Sequence, residues 1–297
     1  MFDPARKRPR LAALLIGLGV ALATGAAPAD DPAALSREIL DDAKSDAKRE
    51  AIIRGHPAPS AELIAALTAD LKPGTDEEYR RIPWVWRVSI AAAKRANGDE
   101  CRRILDVALP RPGQPLDDWR AVVLGGGLVN GLTLSGHWPD KTLSAITKTT
   151  GDHAARWRRA LEQAVVMADD PKVKTGTRYD ALRLVGMLPW DLSGAQIKRY
   201  LANGVHAELQ QGAVGAAGDV HAPEAAEALI AGFPHFTEGN RVFAIRALLR
   251  DASRADALLA AVADGRLSKA DVLAAIKETG DESEFRKKAE KALTIAP

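Results

Sequence analysis

Three stretches of this chain repeat one another at a nearly constant interval, and that recurrence restricts the possible folds more than any other feature. Residues 180–186 (DALRLVG), 212–218 (GAVGAAG) and 243–249 (FAIRALL) align so that Ala181, Ala213 and Ala244 fall 32 and 31 residues apart. Each is followed by a second helical stretch, at residues 195–202, 223–231 and 254–263. A helix pair recurring at this period cannot bury its apolar face alone. It does so by stacking on its neighbours, as in an α-solenoid. Small residues at the repeated positions let neighbouring helices approach closely. Composition agrees: with 46 % hydrophobic and 27 % charged residues the chain is neither disordered nor fibrous. Only 5 % is aromatic, which favours close helix packing over an aromatic-lined sandwich. The expected fold is all-α: a right-handed α-solenoid of stacked helix pairs with a less regular N-terminal helical half.

Residues 1–29 read as a signal peptide. Arg6, Lys7, Arg8 and Arg10 precede an apolar run from 11 to 23, and Ala26, Ala27 and Ala29 offer a small-residue cleavage point. The run falls short of the about 20 apolar residues of a membrane helix. It has no cysteine for a lipid anchor and no paired arginines for the folded-protein export route. The expected location is therefore periplasmic or secreted, by Sec-type export, with no stable membrane span after signal removal. Loss of this segment takes the net charge from +2 to near −1. Nucleic acid is then not an expected partner, and the Arg156, Arg158 and Arg159 cluster reads as a solvated helix face. The remaining chain divides into an N-terminal helical region, 30–150, and repeats with a capping helix, 151–297. In that last helix Phe285, Ala289 and Leu293 form one thin apolar stripe on a polar surface, as an end cap requires.

Helix signals mark the first region too. Ser60 caps a segment with an apolar stripe of Leu63, Ile64, Leu67 and Leu71. Thr75 and Glu78 have the spacing of a capping box, Pro83 interrupts or kinks the helix that follows, and Asn97-Gly98 ends it. Residues 119–134 are apolar nearly all round yet contain Gly125, Gly126, Gly127 and Gly131. Each glycine inside a helix costs about 1 kcal/mol relative to alanine. Either the helix breaks there, or another helix crosses almost on its backbone. Both cases make Asn130 a candidate for pairing freed backbone groups.

The helix-pair period and the segments at residues 179–183, 189–192, 240–245, 257–262 and 265–267 resemble HEAT-like repeats of exported bacterial proteins, best over 156–272. In some such proteins the module is fused to a β-propeller dehydrogenase-like domain and a c-type cytochrome. Haem attachment needs two cysteines and Cys101 is the single one here, so that redox chemistry does not carry over. What the resemblance implies is a scaffold without catalytic residues.

The chemistry-bearing residues give no contrary pattern. The six histidines (His56, His137, His153, His206, His221, His235) include no i,i+4 pair. His206, His221 and His235 fall near helix boundaries and could share one rim. Cys101 sits on an apolar face with Ile104, Leu105 and Ala108, as an inert small hydrophobe does. The Gly125–Gly131 stretch lacks the third glycine of a dinucleotide loop, and the Gly131–Gly136 spacing lacks the Lys and Ser/Thr of a phosphate loop. No cofactor or metal is expected.

The expected function is a non-catalytic protein–protein interaction scaffold, binding a protein or peptide. Its candidate contacts are Trp86, Arg87 and Asn130. Trp84 and Trp86, two apart on a helix, point away from each other, which buries one and leaves the other near Arg87. The alternative from another class is an exported α/α-toroid enzyme acting on polysaccharide. There Asp117, Asp118, Asp140 and Asp152 would supply acid–base catalysis, and Trp119 and Trp138 would stack on sugar.

Overall fold

The computed structural model describes residues 31–55, 60–72, 74–109, 118–149, 151–280 and 283–295. Residues 1–29, expected to be a signal peptide, together with His56, Pro73, Pro110, Pro112 and Asp117 lie outside them. The described residues contain helices and no strand. In order these are α1 (Pro32–Ile39), α2 (Asp46–Gly55), α3 (Ser60–Leu67), α4 (Asp76–Lys94), α5 (Gly98–Ala108), α6 (Asp118–Leu134), α7 (Pro139–Lys148) and α8 (His153–Asp169). There follow α9 (Thr175–Val185), α10 (Trp190–Leu201), α11 (Ala207–Asp219), α12 (Pro223–Gly232), α13 (Glu238–Leu248), α14 (Ala252–Ala263), α15 (Lys269–Glu278) and α16 (Glu284–Ile295). Among them no helix is long and apolar enough to cross a membrane.

Alternate helices pack side by side. One series runs α2, α4, α6, α9, α11, α13, α15, each on the next; a second series includes α1, α3, α5, α7 and then α10, α12, α14, α16. The three repeated sequence stretches lie in α9, α11 and α13, and their followers are α10, α12 and α14. The alternation breaks once, where two helices, α7 and α8, separate α6 from α9. There α8 lies along α9 and also meets α10, whose Gln196 amide donates to Val165 O at 2.9 Å and whose Tyr200 hydroxyl donates to Ala168 O at 2.6 Å.

Local signals act largely as read, with corrections at Asn97, Pro83 and Ser60. Thr75 caps α4 by accepting from the Glu78 N–H at 3.3 Å, and the Glu78 carboxylate accepts from the Gly74 N–H. Asn97 accepts from the Asp99 and Glu100 N–H groups, so it opens α5 and does more than end α4. The chain reverses just before it, at Ala96 with φ +52°. Pro83 stands inside an unbroken α4. It is exposed, so the carbonyl it leaves unpaired can face water. Ser60 stands inside α3 as its first residue, and its hydroxyl donates to Glu100 at 2.6 Å and accepts from Arg95 at 2.9 Å instead of capping a first-turn N–H.

Of the two alternatives for the glycine-rich stretch, close crossing holds: α6 is continuous. A Cβ on Gly127 would lie 2.7 Å from Ser89 Cβ, and one on Gly131 would lie 2.5 Å from both Ala93 Cβ and Ile90 O. The glycines four apart therefore form a furrow that admits α4 to the backbone itself. Ser89 closes the contact by donating to Leu124 O at 2.8 Å. On the opposite side a Cβ added to Gly125 would lie 3.2 Å from Leu184 and Trp157, and Gly126 lies under Asp180.

Arginine is the recurrent device at helix C termini, where carbonyls lack partners and the dipole is negative. Arg80 reaches Leu40 O after α1 at 2.9 Å, and Arg81 reaches Leu67 O at the end of α3 at 3.1 Å. Arg156 reaches Leu109 O after α5. Arg178 bonds to Ala168 O in α8 at 2.9 Å, Arg250 to Gly218 O in α11 at 2.9 Å, and Arg246 to Thr279 O after α15 at 3.1 Å. Several of these bonds join helices distant in sequence, so they fix the stacking as well as the ends. A planar, permanently charged fork suits this role better than an ammonium group.

Candidate functional site

The most unusual chemistry lies along a polar seam where α4 and α6 meet α9 and α11. From α4 the half-buried Trp86 donates its indole N–H to Asp180 Oδ1 on α9 at 2.8 Å. The Tyr179 hydroxyl donates to Asn130 Oδ1 on α6 at 3.2 Å, and the Asn130 amide donates to Gly126 O at 3.0 Å. The rings of Trp86 and Tyr179 meet edge to face at 6.5 Å. Asn130 thus does pair a helix carbonyl, and it spans to α9 as well.

One turn further along α9, Arg183 is 2 % exposed and donates to Asp219 Oδ2 on α11 at 2.6 Å and to Thr133 Oγ1 on α6 at 3.1 Å. Asp219 is fully buried and also accepts from Thr133 at 2.9 Å and from Arg250. The buried Arg183 guanidinium and the half-buried Arg250 guanidinium share this one carboxylate. Such an arrangement is held by hydrogen bonds and strongly weakened if one member is removed. Nε and Nη1 of Arg183 have no partner among the described residues. The guanidinium lies over Gly215, where an added Cβ would stand 2.6 Å from Arg183 Cζ. Arg250 continues the seam: it donates to His137 O at 2.8 Å and lies 4.0 Å from the Trp138 ring centroid. Trp138 stacks on His221 at 3.7 Å, and His221 Nε2 lies 3.5 Å from Asp140.

The electrostatics follow from burial. Asp180 is held well above the usual carboxylate range by burial, with a further push from Glu208; the Trp86 bond and the Arg183 charge act against it. Burial likewise raises the Tyr179 phenol and lowers the His221 imidazole, the latter helped by Lys141, Arg254 and Arg250 against Asp140. The Cys101 thiol, buried on α5, is pushed up to about 11, mainly by burial, as an inert thiol should be.

Of the expected contact residues, Trp86 and Asn130 are brought together in the seam and Arg87 is not. Arg87 donates to Glu50 at 2.9 Å and lies 4.8 Å from the Trp84 ring, which Arg49 also faces at 4.2 Å. Trp84 is the buried member of the pair, but Trp86 is half-buried rather than exposed, and it is Trp84, not Trp86, that Arg87 faces. All three candidates keep part of their surface open.

Of the four toroid acids, Asp117 and the side chain of Asp118 lie outside what the structure describes. Asp140 lies in the first turn of α7, where its carboxylate is 3.5 Å from His221 Nε2, and Asp152 precedes α8, where its carboxylate is 3.4 Å from Arg156 Nη1, so the two acids face different partners. The three histidines of the second half do not share a rim. His206 caps the start of α11 by accepting from the Glu208 N–H, while His221 follows its end, about 20 Å away at 1.5 Å per residue. No group of three or more His, Cys, Asp or Glu among the described residues is arranged to hold a metal ion.

Asp180, Arg183 and Asp219 were hidden from sequence reasoning inside repeat motifs. Their one signal was charge at positions where an apolar helix face should continue: Arg183 between Leu182 and Leu184, and Asp219 after Ala216-Ala217-Gly218. Comparison of the chain with family models, curated proteins and solved structures finds no match.

Proposed function

We propose that this chain is a non-catalytic scaffold that binds a protein or peptide, exported to the periplasm or beyond after loss of residues 1–29. Its helix pairs form a right-handed, HEAT-like α-solenoid with the less regular pairs at the N-terminal end. The observation that carries this reading is the side-by-side packing of alternate helices. Such a stack presents extended faces to which each repeat adds a few contacts.

Two surfaces suit a partner. Trp86, Arg87 and Asn130 offer open edges on the α4–α6 side. Between α10 and α12 runs a groove of about 670 Å³, with Leu201 and Ala228 in its apolar lining and Lys198, Glu224, Glu227 and His235 around it. Val166 and Leu192, 68 % and 67 % exposed on α8 and α10, add apolar surface.

The test is co-purification of the tagged chain from its native envelope fraction after mild crosslinking, read by quantitative mass spectrometry. A partner at near-stoichiometric yield is expected, with recovery reduced several-fold by Arg87→Glu or Leu192→Glu in a folded variant. Recovery of the chain alone would overturn the proposal.

A further inference from the structure

The Trp86–Asp180 contact has a property that a structural hydrogen bond does not need. The Asp180 carboxyl is buried and rests on the backbone of Gly126, where an added Cβ would come within 2.5–2.8 Å of Oδ1, Cβ and Cγ. It accepts one side-chain hydrogen bond, from Trp86, and has no ion pair among the described residues. Arg183, the nearest cation in sequence, is committed to Asp219 and Thr133. The charges that act on Asp180 are Arg183 from its own helix and Glu208 from α11. From α4 and α6 it is faced by Trp86 and Gly126, neither of which ionises. A carboxylate at this place would lose most of its hydration for one N–H donor, whereas a neutral carboxyl fits without that cost.

We propose that Asp180 is a pH-sensitive lock: its neutral carboxyl holds α9 against α4 and α6, and its ionisation loosens that joint. The joint connects the N-terminal helices to the repeated ones, so it controls how firmly the two groups are coupled. Burial raises the affinity of Asp180 for its proton in the folded chain above that in the unfolded chain. Its stabilisation is therefore complete below the ordinary carboxyl value of about 4, declines as pH rises above it, and is fully lost once pH has passed the raised folded value. This direction is opposite to that of an ion-paired carboxylate such as Glu77. Glu77 is held down to about 2 by hydrogen bonds from Arg80 and Arg81 and contributes above its unfolded value.

The experiment is hydrogen–deuterium exchange of the full chain across a pH series, corrected for intrinsic exchange, in the wild type and in Asp180→Asn. In the wild type the opening constant of peptides from α6 and α9 should rise with pH by up to about tenfold per unit, the limit for one proton. In Asp180→Asn it should stay flat while peptides from α14 behave alike in both proteins. An equal pH response in both proteins overturns the proposal. If Asp180→Asn does not fold, the wild-type Trp86 indole N–H resonance, assigned by Trp86→Phe, provides the second readout. A shift titrating well above pH 4 together with α6 and α9 exchange supports the lock. A resonance that stays still, or moves without the exchange, removes it.

Discussion

The contact between α4 and α6 and the contact between α9 and α11 join neighbouring helices of the same series by different means. In the first, α6 presents Gly127 and Gly131 to Ser89, Ala93 and the carbonyl of Ile90, so two backbones nearly touch. In the second, the approach is shared. Gly186 after α9 meets the backbone of Ala216, Gly212 meets Tyr179 O, and between them Arg183 crosses to Asp219. The glycine furrow depends on shape, with Ser89 donating to Leu124 O across it. The α9–α11 contact adds a charge network that continues to Thr133 on α6 and Arg250 after α13. The difference teaches where each kind of specificity is placed: close apolar packing within the N-terminal helices, and directional polar bonds where those helices meet the repeats.

Asp219→Ala should have the largest effect, since it leaves the buried Arg183 and the half-buried Arg250 without their carboxylate. A loss of about 3–5 kcal/mol is expected in urea unfolding. A loss within about 0.5 kcal/mol, as at an ordinary surface site, would show that the seam adds nothing to packing. Gly131→Ala tests the other side of the comparison. The added methyl meets the backbone of α4, so the helices must separate, and the net loss should be about 2 kcal/mol despite the better helix propensity of alanine. A gain would mean that α4 and α6 are further apart than the furrow requires. The smallest change is Gly239→Ala, at the start of α13, where nothing lies within 4 Å of an added Cβ. Thermal unfolding should show a gain of about 0.5 kcal/mol, which separates glycines that admit a neighbour from those that do not.

Much of the architecture was legible in the chain. The spacing of Ala181, Ala213 and Ala244 placed α9, α11 and α13, and the capping pair Thr75 and Glu78 placed the start of α4. The four glycines of α6 predicted a close crossing as one of two outcomes, and Asn130, expected to pair freed backbone groups, bonds instead to Gly126 O within the unbroken helix. The candidate site was less legible. Trp86 was singled out for the surface it offers, yet its indole N–H is bonded to Asp180, a residue read only as part of a repeat. The extra helix between α6 and α9 was also missed, because α7 and α8 each carry ordinary amphipathic signals and nothing local distinguishes an inserted helix from a regular one.

The sequence by itself determined the helical elements, their punctuation and the recurrence of pairs. Those depend on side chains within one or two turns of each other and on the 3.6-residue period. Tertiary structure alone decided which helix fills the glycine furrow, which carbonyls the arginines cap, and that Asp180 is left with Trp86 while Arg183 turns to Asp219. These outcomes are contacts between groups up to 113 residues apart, as for Arg250 and His137. The burial that gives them their energy exists only after the helices have stacked.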